Sequence, residues 1–150
     1  MAEQLYVKNT ISIDAPATKV WNFLTKPEHT KKYMFGCETV SDWKEGSSLL
    51  WKGNFNGKEI VAVKGNIVKI DEEKFLEYTT IDPNAGLEDI PENYLTVTYN
   101  LSEQNGQTIL TVTQGDYAKV GDGEKRYNES VSGGGWEPIL VKIKELVESK

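Results

Sequence analysis

The sequence predicts an α+β fold in which a curved antiparallel sheet of about six to seven strands packs on one long C-terminal helix. Three observations carry this. About seven short strand patterns follow one another, separated by turn residues. Two short helical patterns interrupt them, both just after the first strand. The chain then ends in an apolar-periodic stretch from Gly133 to Val147, where Trp136, Ile139, Leu140, Ile143, Leu146 and Val147 fall at helical spacing. A lone amphipathic helix at the end of such a sheet must lie across it, because nothing else covers its stripe.

The elements follow in order. Leu5, Val7, Ile11 and Ile13 alternate with Tyr6, Lys8, Thr10 and Ser12, the period of a half-buried strand, with Asn9 as the one polar residue on the apolar side. Pro16 suits the first turn of a short helix carrying Val20, Trp21, Phe23 and Leu24. Pro27 opens a second short helix through about Tyr33. Strands are expected at Glu38 to Trp43, Ser48 to Asn54, Lys58 to Asp71 and Phe75 to Ile81. Asn56-Gly57 is the strongest hairpin signal, and Gly65 inside the long fourth strand marks a bend or bulge. Pro83, Gly86 and Pro91 make residues 82–93 a loop. A hairpin around Asn105-Gly106 joins Tyr94–Glu103 to Gln107–Asp116. Asp122 is the expected N-cap of a final helix from about Glu124 to Lys150, roughly 40 Å long at ~1.5 Å per residue. Gly133-Gly134-Gly135 within it either leaves space beside the sheet or marks close packing or a kink, and Pro138 makes a bend plausible.

The 150 residues suit one domain over the whole chain, 1–150, able to bury about 70% of its unfolded surface. Net charge is −6 with the charges scattered, which argues against nucleic acid as the main partner. Cys37 is the single cysteine, so no internal disulfide is possible. The N-terminal residues lack signal-peptide character and no apolar run reaches the ~20 residues of a membrane span, so a cytoplasmic location is expected. Asn128-Glu129-Ser130 matches a glycosylation acceptor only by chance in that setting.

Catalytic signals are sparse. His29 is the only histidine and is expected at the surface, which excludes a multi-histidine metal site. Cys37 reads as an inert buried or semi-buried thiol. Gly121-Asp122-Gly123 is loop chemistry. Glu88, Asp89 and Glu92 read as a solvated cluster, so neither metal nor cofactor is expected.

Ile11-x-Ile13-x-Ala15-Pro16-x-x-x-Val20-Trp21-x-x-Leu24-Thr25-x-Pro27-Glu28 resembles the opening of the START-like (SRPBCC) superfamily. Lys64-Gly65 with Ile70-Asp71, Leu76-x-Tyr78-Thr79, and Gly135-Trp136-x-x-x-Leu140 with Ile143 are similar to the group related to the C-terminal domain of the activator of Hsp90 ATPase. The resemblance runs nearly end to end. It implies the helix-grip fold, with an apolar cavity between sheet and helix, shared by lipid and hormone binders, aromatase/cyclases and the co-chaperone domain.

Strand parity then supplies candidate ligand contacts. Leu95, Val97 and Tyr99 share one face; Val112 and Gln114 share another; Leu76, Tyr78 and Thr80 a third. Tyr78, Tyr99 and Gln114 are the polar groups that would point inward. Trp51 beside the hairpin, and Tyr127, Val131 and Gly134 on the last helix, complete the candidate set, whereas Trp21 and Trp136 read as core. Tyr33, Met34 and Phe35 lie where similar proteins place the cavity mouth.

The leading expectation is binding of an apolar or aromatic, lipid-like small molecule without catalysis. A chaperone-interaction module is the alternative, weakened because the chain leaves no room for the activator's separate N-terminal domain. The other alternative, an aromatase/cyclase-like enzyme, requires a polar group of shifted pKa at the pocket floor.

Overall fold

The computed structural model describes residues 5–34, 36–55, 57–83, 86, 88–120 and 123–149. Strands β1 (Val7–Ile13), β2 (Glu38–Ser41), β3 (Ser48–Phe55), β4 (Lys58–Asp71), β5 (Phe75–Thr80), β6 (Leu95–Gln104) and β7 (Gln107–Gly115) form one sheet. Helices α1 (Ala17–Thr25) and α2 (Pro27–Tyr33) follow β1, and α3 (Gly123–Ser132) and α4 (Glu137–Glu148) end the chain. The strand order is β1-β7-β6-β5-β4-β3-β2, every pair antiparallel. β2 to β7 are a meander, and β1 returns to pair with β7. The β6–β7 turn places Asn105 at φ 54° and Gly106 at φ 79°, the two left-handed residues a tight hairpin needs. Gly57 takes φ 81° in the β3–β4 turn, while Asn56, like Phe35, Gly121 and Asp122, lies outside the described residues.

The expected 40 Å helix is two helices. Gly134 and Gly135 take φ 92° and 61°, where only glycine is unstrained. The Gly135 N–H donates to the Ser130 carbonyl at 2.7 Å and the Gly134 N–H to Val131 at 3.0 Å, the paired bonds of a Schellman stop. Pro138, which has no N–H to give, sits in the first turn of α4. A Cβ on Gly135 would lie 2.7 Å from Asn9 Oδ1 and 2.7 Å from Val7 Cγ1, so the break presses directly on β1. Asn9, the polar residue on the apolar side of β1, holds it there: Oδ1 accepts the Trp136 N–H at 2.9 Å, and Nδ2 donates to Gly134 O at 3.5 Å.

α4 buries Leu140, Ile143 and Val147 against β1 and α1. Each contributes about 1.5–3 kcal/mol by leaving water. Trp21 and Leu24 of α1 join them, with Ile13, Leu110 and Val112 from the sheet. Gly65 has a steric reason: a Cβ there would fall 1.6 Å from the Thr79 carbonyl oxygen, where the end of β5 crosses β4. Lys64 and Ile81 bridge at that crossing.

Candidate functional site

Between β3–β7 and the α3–α4 break lies a cavity of about 390 Å3, lined mainly by apolar side chains. Its position follows from two irregularities. The helix break places Ser130, Gly135, Trp136 and Ile139 on one wall. On the other, the β3–β4 register shifts beside Trp51, so that Trp51 faces Val63 and Lys52 faces Val61. Ala62 is the extra residue of a bulge, and the consecutive Ala62 and Val63 both reach the cavity. A regular strand would turn one of them away.

An aromatic row crosses the site, strand to strand and then to the helix break. Trp51 and Tyr78 have ring centroids 6.5 Å apart, Tyr78 and Tyr99 5.5 Å, and Tyr99 and Trp136 5.9 Å, the last two pairs edge-to-face at 79°. The Tyr78 and Tyr99 hydroxyls share a hydrogen bond of 2.7 Å. Tyr33 donates its hydroxyl to the Phe23 carbonyl at 2.8 Å. Burial pushes all three phenols up, so each stays protonated at neutral pH; for Tyr33 and Tyr78 the neighbouring Tyr99 adds to the effect. Tyr99→Phe should remove the shared bond and strand the Tyr78 hydroxyl, destabilising the fold by about 1–2 kcal/mol in urea denaturation.

Gln114 Oε1 accepts the Trp136 indole N–H at 2.9 Å. Its amide NH2 keeps two donors beside the cavity. The Trp51 side chain is 4% exposed, and its indole N–H meets no acceptor among the described residues. It is not sealed in, because His29 Nδ1 is the only buried side-chain polar atom without a partner there. The cavity is the open space Trp51 lines. The site thus offers neutral donors, and none of the described residues on its wall is charged. Its two ionisable groups, Tyr78 and Cys37, are both held neutral, since desolvation also raises the Cys37 thiol.

Of the residues singled out by parity and loop position, Met34, Trp51, Tyr78, Val97 and Gln114 line the cavity. Tyr99, Leu95 and Val112 are buried core residues that do not line it. Tyr33 does not line it, its hydroxyl being bonded to the Phe23 carbonyl. Tyr127, Val131 and Gly134 are on the far side of the helix break, where with Tyr6 and Lys8 they border a separate polar depression of about 350 Å3. Phe35 falls outside the described residues. Cys37, Ala62, Val63, Thr80, Ser130, Gly135, Trp136 and Ile139 were not singled out as contacts. Thr80 shares the parity of Tyr78, which is a usable signal. Trp136 reads as core by spacing alone, and the bulge and the break have no signal beyond Gly65 and the glycine run.

His29 departs from the expected surface position. Its ring stacks on Phe23 at 3.9 Å and 19°, half-buried, with Nδ1 unpartnered. Desolvation lowers its pKa; Glu28 opposes this, while Lys32 and Lys26 reinforce it. An unfolded imidazole titrates near 6.5. As pH falls below that value the unfolded chain takes up the proton first, so stability present at neutral pH is lost toward acid. His29→Phe, which keeps the stacked ring, should show a smaller fall in thermal midpoint between pH 7.5 and 5.5 than the parent. Asp89 is held below the usual carboxylate range by hydrogen bonds from Lys64 and from Tyr94, the latter at 2.6 Å. Among the described residues no group of three His, Cys, Asp or Glu side chains could hold a metal, and no helix is long and apolar enough to cross a membrane.

The family model described as Activator of Hsp90 ATPase homolog 1-like protein matches residues 14–148. The chain belongs to this family. The Hsp90-activator-homologue family falls within the START-like superfamily, and its helix-grip architecture is the one seen here. No curated protein matches the chain. Among solved structures it is similar to ChR145 of Cytophaga hutchinsonii, with 36% identity, 99% of this chain and 97% of that one covered, and a TM-score of 0.78. It shares its fold with the Aha1 dimer of Colwellia psychrerythraea (19% identity, 95% and 96% covered, TM-score 0.69). CalU16 of Micromonospora echinospora has the same fold (19% identity, 95% and 74% covered, TM-score 0.67).

Proposed function

We propose that this member of the Hsp90-activator-homologue family is a cytoplasmic protein that binds an uncharged apolar or aromatic small molecule in the cavity, without catalysis. The observation that supports this most is the wall itself: apolar side chains around about 390 Å3, with neutral donors from Trp51 and Gln114 and no charged group among the described lining residues. Apolar burial supplies affinity at ~25 cal/mol per Å2, and the donors orient an acceptor on the ligand. A carboxylate or ammonium would lose its hydration with no counter-charge from the described wall residues.

The test is a thermal-shift and native mass-spectrometry comparison of neutral aromatics and esters against fatty acids of matched size. Neutral ligands are expected to bind at least about tenfold more tightly. A folded sample that takes up none of them would end the proposal. Trp51→Phe, which keeps the ring but removes the N–H, should weaken acceptor-bearing ligands about tenfold.

A second reading, a cyclase-like enzyme, has one feature in its favour: Tyr78, a protonated phenol at the cavity wall, could polarise a substrate carbonyl. Turnover of a bound neutral ligand that disappears in Tyr78→Phe, with binding retained, would favour this reading over simple binding.

A further inference from the structure

A second groove, of about 440 Å3, shares none of its described lining residues with the cavity. It is bounded by the junction of α1 and α2 (Trp21, Asn22, Pro27), by Trp43 in the turn after β2, and by Ile70 at the end of β4. Trp43 stands at φ 55°, a conformation that bulky side chains rarely adopt. The turn holds it there: the Trp43 N–H donates to Ser41 Oγ at 3.0 Å, and Ser41 Oγ meets Ser47 Oγ at 3.4 Å. A glycine or asparagine would sit in this backbone with less strain, so the indole itself is what the position retains.

Trp21 supplies the second observation. The side chain is 5% exposed, yet its indole N–H has no acceptor among the described residues and is not among the buried atoms left without a partner. Trp21 itself lines the groove. A buried indole normally finds an acceptor. At the rim, Lys26 and Glu72 balance one another in charge, so the groove favours neither an anion nor a cation.

We propose that this groove is a second binding site, for a flat aromatic ring that carries an uncharged hydrogen-bond acceptor. The ring lies against Trp43, Pro27 and Ile70, and the acceptor takes the Trp21 N–H. The volume falls in the range of small-molecule sites.

Quinoline and naphthalene have nearly the same shape, and only quinoline has a ring-nitrogen acceptor. Each is titrated at pH 7.5 into 15N-labelled protein, and the four indole N–H signals are followed by NMR. Quinoline is expected to shift the Trp21 and Trp43 signals saturably, and naphthalene to bind there about tenfold more weakly. Trp51 and Trp136 report the cavity separately, so failure here is distinct from failure of the cavity reading. Trp43→Gly, which suits the left-handed backbone, should lose about tenfold in quinoline affinity while the remaining signals keep their dispersion; Trp43→Asn serves if the glycine variant does not fold. Equal affinity for the two rings, shifts confined to Trp51 and Trp136, or unchanged affinity in a folded Trp43 variant would each overturn the proposal. The quinoline–naphthalene contrast decides the matter on the unmodified protein alone.

Discussion

Gly65→Ala is expected to destabilise the protein by at least about 3 kcal/mol and to lower its thermal midpoint by roughly 10 °C. The new Cβ would stand 1.6 Å from the Thr79 carbonyl oxygen and 2.4 Å from its carbon. Those are main-chain atoms, so no side-chain rotation relieves the clash. Either β4 or the end of β5 must move, and both carry cavity wall: Ala62 and Val63 on one, Tyr78 and Thr80 on the other. Gly133→Ala is the matched control. Its Cβ would meet only Glu129 O at 3.5 Å and Ser130 O at 3.6 Å, ordinary contacts. Gly133 follows the last residue of α3 without a left-handed φ, so that variant should be unchanged or more stable by about 0.4–1 kcal/mol through a less free unfolded chain. Urea denaturation of the pair measures both. A Gly65→Ala protein as stable as its parent would show that β4 and β5 do not cross as described.

Ala62→Phe should reduce binding of a neutral apolar fluorophore, N-phenyl-1-naphthylamine, by at least about tenfold while leaving the thermal midpoint unchanged or raised. Ala62 is half-buried at the bulge and reaches a space that holds no protein atoms. A phenyl ring there fills the void that a guest would otherwise occupy, and gains the contacts the void lacks. The two readouts move in opposite senses, which separates loss of the site from loss of the fold. Full binding in a folded Ala62→Phe protein would place the fluorophore elsewhere and sink the cavity as the binding site. The shifted register is what aims Ala62 inward; without it Val63 alone would face the guest.

The strands were legible because each carries its own pattern. Lys58–Asp71 is found as read, and the boundaries of the others agree within a residue or two, since alternation and the turn residues Gly57, Asn105 and Gly106 are local signals. α2 runs from Pro27 to Tyr33 for the same reason. The terminal helix was legible as an apolar stripe but not as two pieces. A stripe records which side faces the core; the glycine run was compatible with either a void or a kink. Asn9 settles the matter only in three dimensions, because its partner Trp136 is 127 residues away in sequence.

The candidate site was legible in part. Parity identifies the inward face of a strand, and Tyr78, Val97 and Gln114 reach the cavity on that basis. Leu95, Tyr99 and Val112 have the same parity and are equally buried, yet do not line it. Facing inward is a property of the strand; reaching open space depends on what stands opposite.

The sequence by itself determined the α+β class, the order and bounds of the strands, the family and the sheet-facing stripe of α4. Each of these is encoded within a window of a few to a dozen residues, where periodicity, turn chemistry and proline placement act. Only the tertiary structure decided where the cavity lies, which polar atoms border it and that Tyr78 bonds to Tyr99. Those depend on a bulge between β3 and β4 and on a helix break pinned to β1. Both are products of packing between segments far apart in the chain, and no local pattern carries that information.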